Sequence, residues 1–106
     1  MSWNIIEMDV IRWSEERGII PNSTSIAQYR KAQEEMHELH TALINRDRTG
    51  IIDGLGDVLV CLINVAALEN VDLTHCLQAA YNEIKNRNGY LNAGGIFVKQ
   101  PQSPDL

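Results

Sequence analysis

The feature of the sequence that most constrains its fold is an almost continuously apolar segment, residues 51–69, which also carries Asp53 and Asp57. Placed on a helix, its apolar side chains surround almost the whole circumference. A helix that is apolar all round is normally buried on every side, and a small bundle cannot enclose one of its own helices so completely. The pattern therefore predicts a subunit interface and a homo-oligomer, either a dimer or a tetramer.

The rest of the chain has the pattern of a small helical domain. Apolar residues recur at helical spacing in three further segments, which predicts four helices in all. These helices span about residues 2–17, 26–45, 51–69, and from Asp72, or Thr74, to 87. Residues 90–106 have no helical period, although residues 96–98 could form a short extended piece that packs on the bundle. We therefore predict an all-α four-helix bundle over residues 1–99 with an irregular C-terminal tail, of which residues 100–106 are flexible.

Individual residues indicate the limits and the faces of these helices. Gly18 and Pro21 end the first helix, and Ser25 with Gln28 fits a capping box at the start of the second. The apolar stripes predicted to face the core are Trp3, Ile6, Val10 and Trp13 on the first helix, Tyr29, Ala32, Met36, Leu39 and Leu43 on the second, and Leu73, Leu77, Ala80 and Ile84 on the fourth.

Charge and composition argue against some classes of protein. The net charge is -5, and the 9 basic residues are scattered among 14 acidic ones, whereas nucleic-acid surfaces need clustered Lys and Arg. The longest uninterrupted apolar run, residues 58–63, is far below the roughly 20 residues of a membrane helix. Glu7 and Asp9 stand where a secretory signal needs a basic region and an apolar run. We therefore expect a cytoplasmic protein with no membrane and no nucleic-acid partner.

Polar residues follow one face of the second predicted helix. At 100° per residue, four side chains at the margin of the core lie within about 80° of one another: Gln28, Lys31, Glu35 and Glu38. Taken alone, such a row is most often a solvated edge, because glutamate favours helices and is usually exposed.

The third predicted helix makes a metal site the stronger interpretation. Asp53, Asp57 and Asn64 lie within about 40° of one another on a helix that is otherwise apolar. Because burying an aspartate without a partner is costly, these two need a compensating charge. Basic residues of neighbouring helices could supply it as an ion-pair network, but one hard cation can bind several carboxylates at once. Oxygen donors favour Mg²⁺, with Mn²⁺ as a substitute, and nucleotide phosphates usually complete such a site.

With these residues, the chain resembles the MazG-like, all-α nucleoside triphosphate pyrophosphohydrolases, most closely the small single-domain forms of phages and bacteria. That superfamily is marked by E-x-x-E on one helix and E-x-x-D on the next. The run E-M-H-E at residues 35–38 matches the first motif, and Asp57 matches the closing aspartate of the second. The opening glutamate of the second motif would fall at Gly54. Asp53 beside it is the predicted substitute ligand, with Glu34 as the alternative.

The resemblance covers about residues 13–99 and implies hydrolysis of a nucleoside triphosphate, ribo or deoxy, to the monophosphate and pyrophosphate. It implies Mg²⁺ bound by Glu35, Glu38, Asp57 and Asp53. Glu35 and Glu38 would be the catalytic carboxylates, which orient or deprotonate the attacking water. The implied substrate contacts come from the second and fourth helices: Gln28, Lys31, Asn82 and Lys85.

The same residues leave two other interpretations open. A protein of this fold could bind metal and nucleotide without turnover, because position 54 lacks a carboxylate. Alternatively, Asp53 and Asp57 could pair with basic residues in a regulatory helical assembly. Trp13 and Tyr29 could stack on a base, although the apolar stripe favours core packing for Trp13.

Overall fold

The computed structural model describes residues 2–100 and consists mainly of helices. The elements are α1 (Trp3–Glu16), α2 (Ile19–Asn22), α3 (Ser25–Ile44), α4 (Arg48–Leu68), α5 (Leu73–Ile84), β1 (Gly89–Leu91) and β2 (Phe97–Lys99). The predicted all-α class is therefore confirmed. The chain divides into two compact units between Cys76 and Leu77, and each unit is described by itself. The single domain over residues 1–99 stays a prediction, as does the flexible tail, since residues 101–106 lie outside the described residues.

The packing of α3 against α4 is the main tertiary contact of the first unit. The two helices approach most closely at Gly54, where an added Cβ would lie 3.1 Å from Leu39 Cβ and 3.2 Å from Leu39 Cα. Such distances are tighter than ordinary van der Waals contact, so the close approach requires a residue without a side chain. Small side chains continue the contact along α3, where Ala32 and Ala42 are buried.

This close approach changes which face of α3 is buried. Ala32 and Leu39 are buried as predicted, but Tyr29, Met36 and Leu43 are each more than half exposed, so the predicted core stripe is wrong for these three. The reason is that the face of α3 that packs on α4 carries Ala32, Leu39 and Ala42, with Leu39 against Gly54. The carboxylate of Glu35 consequently lies on the buried face, with only 9% of the residue exposed.

α4 is the core helix of the first unit, although its length and composition are also those of a membrane-crossing helix. Its buried residues are Gly54, Val58, Cys61, Ile63, Asn64 and Ala66. The apolar pattern predicted that α4 is buried on all sides with the help of a second subunit. In the single chain Ile52 and Leu55 are exposed. The physical reason is that α3 and the first two helices cover only part of its circumference. Self-association therefore stays a prediction.

The beginning of α3 differs from the predicted capping box. Thr24, not Ser25, is the N-cap, and its side chain accepts a hydrogen bond from the backbone N–H of Ala27 at 3.1 Å. Ser25 instead donates to the Glu69 carboxylate just after α4. Gln28 is thus free of any capping role and bonds other side chains.

The segment between α1 and α3 contains the short helix α2, which the sequence did not predict. Gly18 follows α1 with a positive φ of 81°, as expected of a residue that ends a helix. Pro21 lies within α2, where its missing N–H costs no bond, because the first-turn N–H groups of a helix have no intrahelical partner.

α5 begins at two carboxylates. Asp72 accepts from the backbone N–H of His75 at 2.7 Å, as the predicted cap requires, and this bond lowers the pKa of Asp72. Glu7 of α1, only 2% exposed, accepts from the backbone N–H groups of Leu73 and Thr74 and from the Thr74 hydroxyl. A carboxylate at this end of a helix also interacts favourably with the helix dipole.

The second unit contains the rest of α5 and a hairpin. β1 pairs antiparallel with β2, with Gly89 opposite Lys99 and Leu91 opposite Phe97. The extended piece predicted at residues 96–98 is thus confirmed as part of a strand, whereas its packing on the bundle is not tested. No residue of α5 is buried, so its predicted buried stripe is wrong for the single chain: Leu77 and Ile84 are 57% and 50% exposed.

The two glycines of α4 provide a matched test of the close helix contact. Gly56→Ala should stabilise the protein by about 0.5–1 kcal/mol, because no atom lies within 4 Å of the added Cβ and alanine favours helices. Gly54→Ala gains the same propensity but must displace Leu39, and overpacking typically costs about 1–3 kcal/mol. Urea denaturation should therefore find the Gly54 variant no more stable than the wild type. Equal stabilisation by both substitutions would contradict the contact.

Candidate functional site

A cavity of about 570 Å³ in the first unit brings together four of the predicted site residues. These are Gln28, Lys31 and Glu35 of α3 and Asp57 of α4. The other lining residues are apolar side chains from α1 to α4 and polar ones from α3 and α4: Trp13, Ile19, Ala27, Arg30, Glu34, Val60, Cys61 and Asn64. The cavity thus combines an aromatic ring, amides and charges of both signs.

A second cavity, of about 320 Å³, holds the remaining predicted carboxylates of the first unit. Glu38 of α3 and Asp53 and Asp57 of α4 line it. Asp57 lines both cavities and is the residue that joins the two groups of carboxylates. This arrangement follows from the helical spacing, because Asp53 and Asp57 are one turn apart on α4 and Glu35 and Glu38 are one turn apart on α3.

Position 54 has a structural reason for lacking the glutamate of the second motif. Gly54 is buried, and an added Cβ would press against the backbone of Leu39. A longer side chain there would push α3 and α4 apart. Asp53, which is exposed and lines the second cavity with Glu38 and Asp57, is the neighbouring residue that can present a carboxylate without that clash.

Lys31 forms ion pairs with two carboxylates of the first cavity. Its Nζ lies 3.4 Å from Glu35 Oε1 and 3.9 Å from Glu34 Oε2. Glu34 and the hydrogen bond to Glu35 raise the pKa of Lys31, so the ammonium stays charged at all physiological pH values. Lys31 was predicted as a phosphate contact; in this structure its partners are the two glutamates.

The donor chemistry of the two cavities fits a hard divalent cation. Glu35, Glu38, Asp53 and Asp57 offer carboxylate oxygens, the ligands that Mg²⁺ and Mn²⁺ prefer. Within residues 2–100, no three His, Cys, Asp or Glu side chains converge closely enough to form a complete metal site. Carboxylate oxygens of this kind suit a metal that keeps several waters and is completed by phosphate.

A hydrogen-bond network at the first cavity links the predicted site residue Gln28 to Asn64 and to Ser14, which the sequence did not single out. Asn64 accepts a hydrogen bond from the Ser14 hydroxyl at 2.6 Å and donates to Gln28 Oε1 at 3.1 Å. Asn64 shares a helix face with Asp53 and Asp57, which was the available signal for it. For Ser14 the signal was weaker: a serine among the apolar residues of the first helix.

Trp13 faces the cavity rather than the core. It is 45% exposed, and the Arg17 guanidinium lies 5.6 Å from its ring centre. The favoured expectation of core packing is therefore wrong for Trp13, because Glu7 and Ser14 are the buried residues of α1. Tyr29, the other aromatic candidate, is 52% exposed and lines neither cavity.

Asn82 and Lys85 belong to the second unit. Both are exposed, and Asn82 Oδ1 accepts a hydrogen bond from Gln78 Nε2 at 3.1 Å. Their role as substrate contacts stays a prediction, as do the catalytic and metal-binding roles of the four carboxylates.

Comparisons with known proteins agree with the fold and with the class of chemistry. A solved structure, the cyanophage S-2L MazG-like pyrophosphohydrolase bound to dGDP and three catalytic Mn²⁺ ions per active site, matches with a TM-score of 0.71. It is 21% identical, and the match covers 97% of this chain and 97% of that chain. The predicted MazG-like fold is confirmed. No curated protein matches the sequence.

The family model for phosphoribosyl-ATP pyrophosphohydrolase matches residues 19–88, which include α3, α4 and α5. The chain belongs to this family. It is therefore a pyrophosphohydrolase, a hydrolase that acts on phosphoric anhydrides, as the resemblance implied.

The two free cysteines should report how closed the first cavity is. Cys61 is 6% exposed, and burial, followed by the nearby Glu35, raises the pKa of its thiol. Cys76 is exposed. Since the thiolate is the reactive form, iodoacetamide at pH 7.5 should modify Cys76 within minutes and leave Cys61 unmodified in the folded protein.

Mass spectrometry of tryptic peptides measures this difference. A Cys76→Ser variant is the control and should label only after addition of denaturant. Rapid labelling of Cys61 in that folded variant would contradict the closed packing of α4 against α3.

Proposed function

We propose that this chain hydrolyses a nucleoside triphosphate, ribo or deoxy, to the nucleoside monophosphate and pyrophosphate, with Mg²⁺ as its cofactor and Mn²⁺ as a substitute. The observation that carries the proposal is the position of Asp57 between two carboxylate-lined cavities on adjacent helices. The dGDP and Mn²⁺ ions bound to the cyanophage protein support a nucleotide and a divalent cation as the ligands here.

Different residues of the first cavity would bind different parts of the substrate. Arg30 and Lys31 carry the positive charges that phosphate oxygens require. Trp13 offers an aromatic face on which a base can stack, and Gln28 offers an amide that can bond the edge of a base. The triphosphate then extends toward Asp57 and the second cavity.

The carboxylates perform the remaining steps. Glu35, Glu38, Asp53 and Asp57 would hold the cation, which when bound neutralises phosphate charge and lowers the pKa of a water ligand. Glu35, which is buried and lines the first cavity, orients the attacking water or accepts its proton. Glu38 is the alternative base in the second cavity. When phosphate arrives, Lys31 can leave Glu35 and bind the leaving pyrophosphate instead.

Two further parts of the proposal concern the protein as a whole. Exposed apolar residues on α3 and α4, among them Met36 and Leu55, support self-association as a dimer or tetramer. The acidic net charge of -5 supports a cytoplasmic enzyme that binds neither nucleic acid nor membrane.

Replacement of single carboxylates tests the catalytic assignment. Glu35→Gln, Glu38→Gln and Asp57→Asn should each reduce release of pyrophosphate by at least about 100-fold, because each removes a charge that binds the cation or activates water. Pyrophosphate is measured with an enzyme-coupled assay across the common ribo- and deoxyribonucleoside triphosphates, with circular dichroism to verify the helical fold.

Glu16→Gln is the matched control, since Glu16 is an exposed carboxylate at the end of α1 that lines neither cavity. It should retain full activity. If Glu38→Gln and Asp57→Asn both remain active, the proposed site is wrong. Nucleotide binding without release of pyrophosphate would instead favour the alternative, a binding or regulatory protein of the same fold.

Metal binding is testable without a substrate. A ligand of the native state must stabilise it, so about 5 mM Mg²⁺ or Mn²⁺ should raise the melting temperature by a few degrees. Asp57→Asn should abolish this shift, because Asp57 borders both cavities, whereas Glu16→Gln should preserve it. An unchanged melting temperature with either cation would contradict the metal site.

A further inference from the structure

The wall of the first cavity is connected to α1 by a continuous chain of side-chain hydrogen bonds. Ser14 Oγ donates to Asn64 Oδ1 at 2.6 Å, and Asn64 Nδ2 donates to Gln28 Oε1 at 3.1 Å. Gln28 Nε2 in turn donates to Ser23 Oγ at 3.1 Å. Asn64 and Gln28 line the cavity, whereas Ser14 and Ser23 do not.

Because Ser14 and Asn64 are buried, the hydrogen bonds of this chain hold the Asn64 and Gln28 amides in one coupled orientation. Ser14 is 0% exposed and Asn64 is 2% exposed, so neither can exchange its protein partner for bulk water. When Ser14 donates to Asn64, the amide oxygen of Asn64 points to Ser14 and its nitrogen points to Gln28. The amide oxygen of Gln28 then faces Asn64 and its nitrogen faces Ser23. Reversing one amide alone would set two oxygens or two N–H groups against each other between Asn64 and Gln28.

We propose that Ser14 is a positioning residue that acts through Asn64 to set the amide orientation of Gln28, and thereby the base preference of the enzyme. The inference rests on the proposed function, because it assigns the base end of the substrate to the Gln28 side of the first cavity. Ser14 itself does not reach the ligand.

The chemistry of an amide explains why orientation decides preference. After the bonds to Asn64 and Ser23 are made, Gln28 keeps one N–H and one lone pair of its oxygen. Their order in space is fixed, so a base edge with a carbonyl and one with an amino group meet different partners. A site whose polar group is fixed in this way discriminates against the edge that leaves it unpaired.

Removing the Ser14 hydroxyl tests the inference without touching the cavity. In Ser14→Ala the Asn64 oxygen loses its donor, so both amides become free to reverse. The ratio of kcat/KM for dGTP to that for dATP, and likewise for GTP to ATP, should then change by about five- to tenfold, the loss expected for one net hydrogen bond. The change should lie mainly in KM, because Glu35 and Asp57 are unaltered.

Thr74→Val is the matched control. The Thr74 hydroxyl also donates to a buried acceptor at 2.6 Å, in this case Glu7, but Thr74 does not line the first cavity. Both variants should lower the melting temperature, and only Ser14→Ala should change the ratio. A Ser14→Ala ratio that equals that of the wild type and of Thr74→Val would overturn the inference.

A second readout does not depend on turnover. The side-chain amide signals of Gln28 in ¹⁵N-resolved NMR, assigned with Gln28→Glu, should shift and exchange faster in Ser14→Ala but not in Thr74→Val. Unshifted Gln28 signals would overturn the positioning role even if the ratio changes. If the wild type releases no pyrophosphate, the proposed function fails, and the ratio is measured on dissociation constants for the same nucleotides. Wild-type protein that binds neither nucleotide would overturn both proposals.

Discussion

The contact between Gly54 and the backbone of Leu39 is the constraint on which the first unit depends. Because position 54 has no side chain, Leu39 of α3 packs directly against α4, and Ala32 and Ala42 are buried on the same face of α3. This rotates α3 so that Glu35 lies on the buried face and lines the same cavity as Asp57. The packing of the core and the placement of the acidic residues therefore depend on each other, because the same orientation of α3 produces both.

The same glycine explains how this chain differs from the family motif. A glutamate at position 54 would have to displace the backbone of α3, so the close packing and a carboxylate at that position exclude each other. The acidic groups are instead spread over two adjoining cavities, with Asp53 and Glu38 in one, Glu35 in the other and Asp57 in both. Asp57 consequently lies beside Glu35 on one side and beside Glu38 and Asp53 on the other.

The sequence predicted the all-α class, the four long helices to within a few residues, and four cavity residues that the structure does bring together: Gln28, Lys31, Glu35 and Asp57. The sequence did not predict which face of α3 is buried, because several faces have the same helical period and only packing decides between them. Helical spacing placed Tyr29, Ala32, Met36, Leu39 and Leu43 on one core face, but only Ala32 and Leu39 of these are buried, together with Ala42. It also missed bonds between residues far apart in the chain, such as that of Ser14 with Asn64, because helical periodicity carries no information about them.

Glu7 binds the first residues of α5 across a separation of 66 and 67 positions in the sequence. Most helix caps are local, so a helix usually contains the information for its own beginning. Here part of that information lies in α1, and the bond forms only after the long intervening chain has closed. The hydrogen bonds of Glu7 at the first turn of α5 therefore require α1 to be in place, in addition to the local cap from Asp72.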